Sequence, residues 1–81
     1  MWLLIREEQG RSRFSLNSRN IVRLQIKRGG VEDCLLWADT VDQKGCIITR
    51  GSPAWCEKYF ELILKEKENP GIIEVPEREP K

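Results

Sequence analysis

A chain with no histidine must find its chemistry elsewhere. Here the side chains left for it are three cysteines, a serine beside a glycine, two adjacent acidic pairs and a scatter of arginines. Cys34, Cys46 and Cys56 are separated by 12 and 10 residues. A tetrahedral metal site draws on closely spaced thiolates and, commonly, histidine, so no metal ligands are assigned and the thiols are read as small buried apolar groups. The odd count without a C-x-x-C pair also departs from a secreted disulfide framework. Ser52 follows Gly51, but Arg50-Gly51-Ser52-Pro53 lacks the G-x-S-x-G of a nucleophile elbow, and a helix N-cap accounts for the serine. Free N–H groups at that helix start would suit an anion, although no phosphate-loop pattern surrounds them. In Glu7-Glu8 and Glu32-Asp33, extended backbone sends neighbouring side chains to opposite faces, so neither pair makes an acid–base dyad. With no imidazole to act as a base, no catalytic residue and no cofactor is assigned, and no enzymatic activity is expected.

Charge is the more informative signal. The formal net charge is only +1, yet residues 1–30 hold seven Lys/Arg against Glu7 and Glu8, whereas residues 31–81 hold seven against eleven Asp/Glu. A basic face would produce this asymmetry, as would two halves that neutralise each other in the fold. If Leu16 pairs with Val22 and Phe14 with Leu24, one hairpin face carries Arg11, Arg13, Arg23 and Lys27. Like charges set opposite one another are destabilising and invite an anionic partner such as nucleic acid. No aromatic residue is expected on that face, so a base-stacking platform is missing.

The elements that would position these groups follow from periodicity. Trp2 to Arg6 reads as a strand, and Arg13-Phe14-Ser15-Leu16 alternates as a half-buried one should. Val22, Leu24 and Ile26 face one way and Arg23, Gln25 and Lys27 the other. Cys34 to Asp39 and Gly45 to Thr49 are two further strands, joined by an Asp42-Gln43-Lys44-Gly45 loop. In the expected register Val41 lies opposite Cys46 and Leu36 opposite Gly51, which carries Cys34 past its partner strand and out of disulfide range. Ser52 as N-cap and Pro53 at the first helical position start an amphipathic helix running to about Lys67. Asn69-Pro70-Gly71 stops it. The expected fold is α+β, with about five short strands in a single antiparallel sheet and one C-terminal helix packed on one face. Residues 1–71 form the domain, and 72–81 an extended, charged, mobile tail. The expected core holds Val22, Leu24, Ile26, Tyr59, Phe60 and Ile63.

The run Phe14-Ser15-Leu16-Asn17-Ser18-Arg19-Asn20-Ile21-Val22-Arg23-Leu24 resembles the start of small bacterial and phage proteins of no assigned activity. In these a short strand and an Asn/Asp turn lead into a long strand, a hairpin and a C-terminal helix. The resemblance spans residues 13–66 and implies the fold alone.

One sheet face cannot hold every apolar residue. With Cys34, Leu36 and Ala38 toward the helix, Leu35 and Trp37 point outward, and Ile47 opposes Cys46 and Ile48. Either the sheet curls into a partial barrel or its second face is a contact surface, and Trp37 favours the contact, since tryptophan is enriched at contact centres. The protein-interface candidates are therefore Leu35, Trp37 and Ile47. No apolar run approaches the roughly 20 residues of a membrane span, and Met1 is not followed by a basic segment and cleavage site, so a cytoplasmic protein is expected. The functional expectation is a small protein–protein interaction module, a regulatory adaptor or inhibitor, with self-association as one form of the contact. The alternative is a nucleic-acid-associated protein binding through the basic hairpin.

Overall fold

The computed structural model describes residues 1–7, 10–30, 33–42 and 44–80. Glu8, Gln9, Glu32, Gln43 and Lys81, each part of a pair, loop or tail read from the sequence, lie outside them. Among the described residues six strands and one helix follow in the order β1 (Trp2–Arg6), β2 (Ser12–Asn17), β3 (Ile21–Arg28), β4 (Cys34–Thr40), β5 (Gly45–Gly51), α1 (Pro53–Glu66) and β6 (Ile72–Pro76), with a 3-10 turn at Ser18–Asn20 between β2 and β3. The fold is α+β, but the strands form two three-stranded sheets, ordered β2-β1-β6 and β3-β4-β5, and not one sheet.

The division follows from what the first strand needs. Leu3 and Ile5 are fully buried, and β2 supplies Leu16 and Phe14 directly opposite them in an antiparallel pair. On the other side β6 runs parallel to β1 and sets Ile73 and Val75 beside the same two residues. All six side chains thus share the inner face, as the period of two requires. The expected β2–β3 hairpin does not form. Asn17 accepts a hydrogen bond from the Arg19 N–H at 3.0 Å, which turns the chain through the 3-10 segment. Ser18 is held by its N–H to the Met1 carbonyl at 2.8 Å and by its hydroxyl to the Lys67 carbonyl at 2.8 Å.

Residues 72–80, expected as a tail outside the domain, complete it. Val75 is fully buried. Beyond β6 the chain passes from the first sheet to the second: the Glu77 N–H bonds the Arg6 carbonyl at 2.7 Å, the Arg50 N–H bonds the Glu77 carbonyl at 3.0 Å, and the Glu79 N–H bonds the Arg50 carbonyl at 2.8 Å. Thr49 ties three elements at that seam, taking the Trp55 indole N–H at 2.9 Å and donating to the Pro76 carbonyl at 2.7 Å. Burying these polar groups is tolerable because each finds its partner.

In the second sheet α1 covers the inner face. Ser52 caps it by accepting the Trp55 N–H, with Pro53 in the first turn, as the sequence predicts. Cys56, Tyr59 and Ile63 are its buried residues, set at the spacing of one helical face, against Cys34, Leu36, Ala38 and Ile48. Leu24, Ile26 and Phe60 are only half-buried. Val22 is no core residue: the β3–β4 ladder is irregular between Ile21 and Arg23, so Ile21 is buried and Val22 stands 63% exposed. The β4–β5 register also differs from expectation. Ala38 opposes Cys46, and after an irregularity beyond Trp37, Leu36 opposes Thr49 and Cys34 opposes Gly51. Cys34 therefore stays within the ladder. The irregularity takes up one extra residue, as a bulge does, and lets Ile48 and Thr49 both be buried.

Candidate functional site

The outer face of the second sheet is a three-by-three array read directly from its register. Lys27, Leu35 and Arg50 form one row across the strands, Gln25, Trp37 and Ile47 the next, and Arg23, Asp39 and Gly45 the third. Residues directly opposite in adjacent strands share a face, so all nine positions belong to the side away from α1. Leu35, Trp37 and Ile47, the three apolar candidates, lie together at its centre and are half-buried. They are not enclosed in a barrel. Their partial cover comes from neighbours on the same face.

Trp37 is fastened from three sides. Its indole N–H donates to Asp39 Oδ1 at 2.8 Å. The Lys27 ammonium lies 4.2 Å from the ring centroid, a cation–π contact. Beneath the ring is Gly45, where an added Cβ would sit 2.0 Å from Trp37 Cζ2. The second Asp39 oxygen accepts from Gln25 Nε2 at 3.3 Å and lies 3.8 Å from Arg23 Nε, while Arg23 Nη2 donates to Gln25 Oε1 at 3.0 Å. One carboxylate thus orients an indole, an amide and a guanidinium. Among the described residues Lys27 and Arg50 make no ion pair. The face therefore carries Arg23, Lys27 and Arg50 against Asp39 alone.

Of the four predicted anion-binding residues, the structure brings together only Arg23 and Lys27. Arg13 is on β2, where it pairs with Glu77 at 3.1 Å, and exposed Arg11 precedes the same strand, its carbonyl accepting the Glu7 N–H at 2.8 Å. The proposed hairpin fails because β2 is the partner of β1. The expectation that no aromatic residue shares the basic face is corrected too, since β3–β4 pairing sets Trp37 between Arg23 and Lys27. Gln25, Asp39, Gly45 and Arg50 were not singled out as site residues. Outward alternation could have flagged Gln25, but the others depend on a long-range register.

The helix start, weighed above as an anion site, is taken by the chain's own carboxylate. The Ser52 N–H donates to Glu79 Oε1 at 2.8 Å, and the Ser52 hydroxyl lies 3.3 Å from Glu79 Oε2. This is the favourable pole of the helix dipole for a negative charge. The thiols are quiet. Cys34 and Cys56 are buried and Cys46 half-buried, none of them in a disulfide, and Cys56 donates to the Cys34 carbonyl at 3.4 Å. Burial above all, then the neighbouring Cys34, pushes the Cys56 thiol up to about 11, and burial raises Cys46 as well. At neutral pH both are protonated, hence poor nucleophiles. Among the described residues no three His, Cys, Asp or Glu side chains cluster as metal ligands. Among the described residues no helix is long and apolar enough to cross a membrane.

Comparison with known proteins brings no counterpart: no family model matches the chain, and no curated protein or solved structure does.

Proposed function

We propose that this chain is a non-enzymatic protein-binding module, an adaptor or inhibitor whose contact surface is the outer face of the β3, β4 and β5 sheet. One observation carries the reading: Leu35, Trp37 and Ile47 form an apolar centre rimmed by Arg23, Lys27 and Arg50. An apolar, aromatic middle with a polar rim, rich in arginine, is the usual make-up of a contact surface. Trp37 is already oriented by Asp39, Lys27 and Gly45, so docking against it costs little side-chain ordering. The balance of charge favours a partner surface with exposed carboxylates.

A second reading, binding of single-stranded nucleic acid, is supported by the same array, since it sets an aromatic ring among cations. It is the less favoured because Lys27 and Gly45 already flank the ring on which a base would stack.

The test is site-specific photo-crosslinking in the native cell, with the reactive residue at Ile47 and a control at Glu57 on the exposed side of α1. Position 47 should give discrete protein adducts. Trp37→Ala should reduce them by about thirtyfold, corresponding to a contact-centre loss of about 2 kcal/mol, while the variant remains folded. An adduct of twice the chain mass would identify self-association. Equal labelling from both positions, or adducts with nucleic acid alone, would refute the protein-binding reading.

A further inference from the structure

We infer that the free edge of β3 takes up an extended, acidic segment of a partner protein as a fourth strand, an inference that rests on the reading of this sheet as a protein-binding surface. Strand addition to an open edge gains affinity from main-chain hydrogen bonds and selectivity from alternate side chains. Among the described residues the two sheets have four outer strands between them, and two of these, β5 and β6, meet where Arg50 is bonded to Glu77 and Glu79 of the segment after β6, so neither presents its whole edge. Of the remaining two, β2 has six residues and its Arg13 is held by Glu77. β3 has eight and lies outermost in its sheet.

The side chains along β3 show incomplete cover. On β4 the inward residues Cys34, Leu36 and Ala38 are buried, yet their cross-strand neighbours Ile26 and Leu24 on β3 are half-buried. Val22 is 63% exposed. A fourth strand would lay its inward residues against this margin.

Charge selects the occupant. β3 carries Arg23, Lys27 and Arg28 and no carboxylate, and among the described residues only Arg23 of these makes an ion pair, with Asp39 at 3.8 Å. Basic residues on an edge discourage pairing between copies. Two β3 strands related by a two-fold axis at Gln25 would set Arg23 against Lys27, a like-charge opposition that destabilises the pair. The two outward cations, Arg23 and Lys27, favour an incoming strand with Glu or Asp at its outward positions and apolar residues at its inward ones; Arg28, opposite inward Cys34, adds positive charge at the end of the strand.

The probe is a blocked ten-residue peptide of alternating Glu and Val, titrated into the isotope-labelled protein and followed by backbone amide exchange. The expected result is saturable binding with at least tenfold slower exchange at amides within Ile21–Arg28. An alternating Lys and Val peptide should bind at least tenfold more weakly. So should the Glu peptide N-methylated along one edge, a control that leaves the protein untouched, and so should the Arg23→Glu, Lys27→Glu double variant. Equal binding of the two peptides, no binding at millimolar concentration, or β3 protection that grows with protein concentration in the absence of peptide would overturn the inference. Binding that shifts the Trp37 indole signal without protecting β3 would also overturn it and would leave the face itself standing as the contact. Failure of the face is seen separately, in the crosslinking from Ile47.

Discussion

The two sheets treat their cations differently. In the sheet of β2, β1 and β6, Arg6 pairs with Glu74 at 2.8 Å and Arg13 with Glu77 at 3.1 Å, so basic residues of the N-terminal hairpin meet acidic residues of the C-terminal strand and its extension. In the sheet of β3, β4 and β5, Asp39 is the one carboxylate on an outer face holding Arg23, Lys27 and Arg50. The basic first third and acidic remainder of the chain thus have two consequences at once. Part of the asymmetry is neutralised within the fold, and part is left on one surface. Charge that the fold pairs for itself is poor evidence of a partner. The residue left over after pairing is better evidence, because displaying like charges together costs stability unless something answers them.

The sharpest way to break this comparison is to remove the acidic strand. Val75 is fully buried, and the backbone of residues 77–79 joins the two sheets. Deleting residues 72–81 should therefore cost more than the roughly 5 kcal/mol that a small domain commonly has in hand and leave a chain without a cooperative thermal transition by circular dichroism. A truncated protein that still unfolds cooperatively near the wild-type midpoint would make the first sheet an accessory, and its ion pairs incidental.

A smaller effect is expected on the second sheet. Gly45→Val places its side chain where the Trp37 ring lies, with even the Cβ only 2.0 Å from Cζ2. Overpacking of this kind costs about 1–3 kcal/mol, read as a lower denaturant midpoint. Because the site faces away from α1, the core should survive. The Trp37 indole resonance should lose its Asp39-bonded position, while those of Trp2 and Trp55 hold theirs. An unchanged Trp37 signal would mean that the ring is not seated over Gly45.

How much of this was legible beforehand depends on the range of the interactions. The helix was readable because its signals are local: Ser52, Pro53 and an apolar arc within one segment. The strands were readable from alternation, and the outward set Leu35, Trp37 and Ile47 survived a register error in the β4–β5 hairpin. Partner choice was not readable. Phe14 and Leu16 fit Leu24 and Val22 as well as they fit Ile5 and Leu3, and only the burial of β1 between β2 and β6 separates the two solutions. β6 resembled a tail because Ile72-Ile73-Glu74-Val75 is short and its partner lies at the other end of the chain. The Trp37 network needed that same long-range information, since Lys27 and Asp39 reach it only through the β3–β4 pairing.

The smallest expected effect sharpens the comparison most directly, since it contrasts one cation from each sheet. Arg13 is paired with Glu77, whereas Lys27 has no carboxylate partner among the described residues. Both are exposed on the surface, so replacing either with Gln should change stability by less than about 1 kcal/mol. Their contributions to anion attraction should differ. On an immobilised polyanion each fully engaged cation contributes a slope of roughly 0.7–0.9 in log affinity against log salt. Lys27→Gln should reduce the slope by about one such increment and elute at lower salt. Arg13→Gln should elute close to wild type, because Arg13 lies in the other sheet, away from the displayed cations, and is engaged by Glu77 and not by the polyanion. Equal shifts for the two variants would mean that the Arg13 pair is too loose in solution to neutralise its charge, and the distinction between an internally balanced sheet and a displayed one would fail.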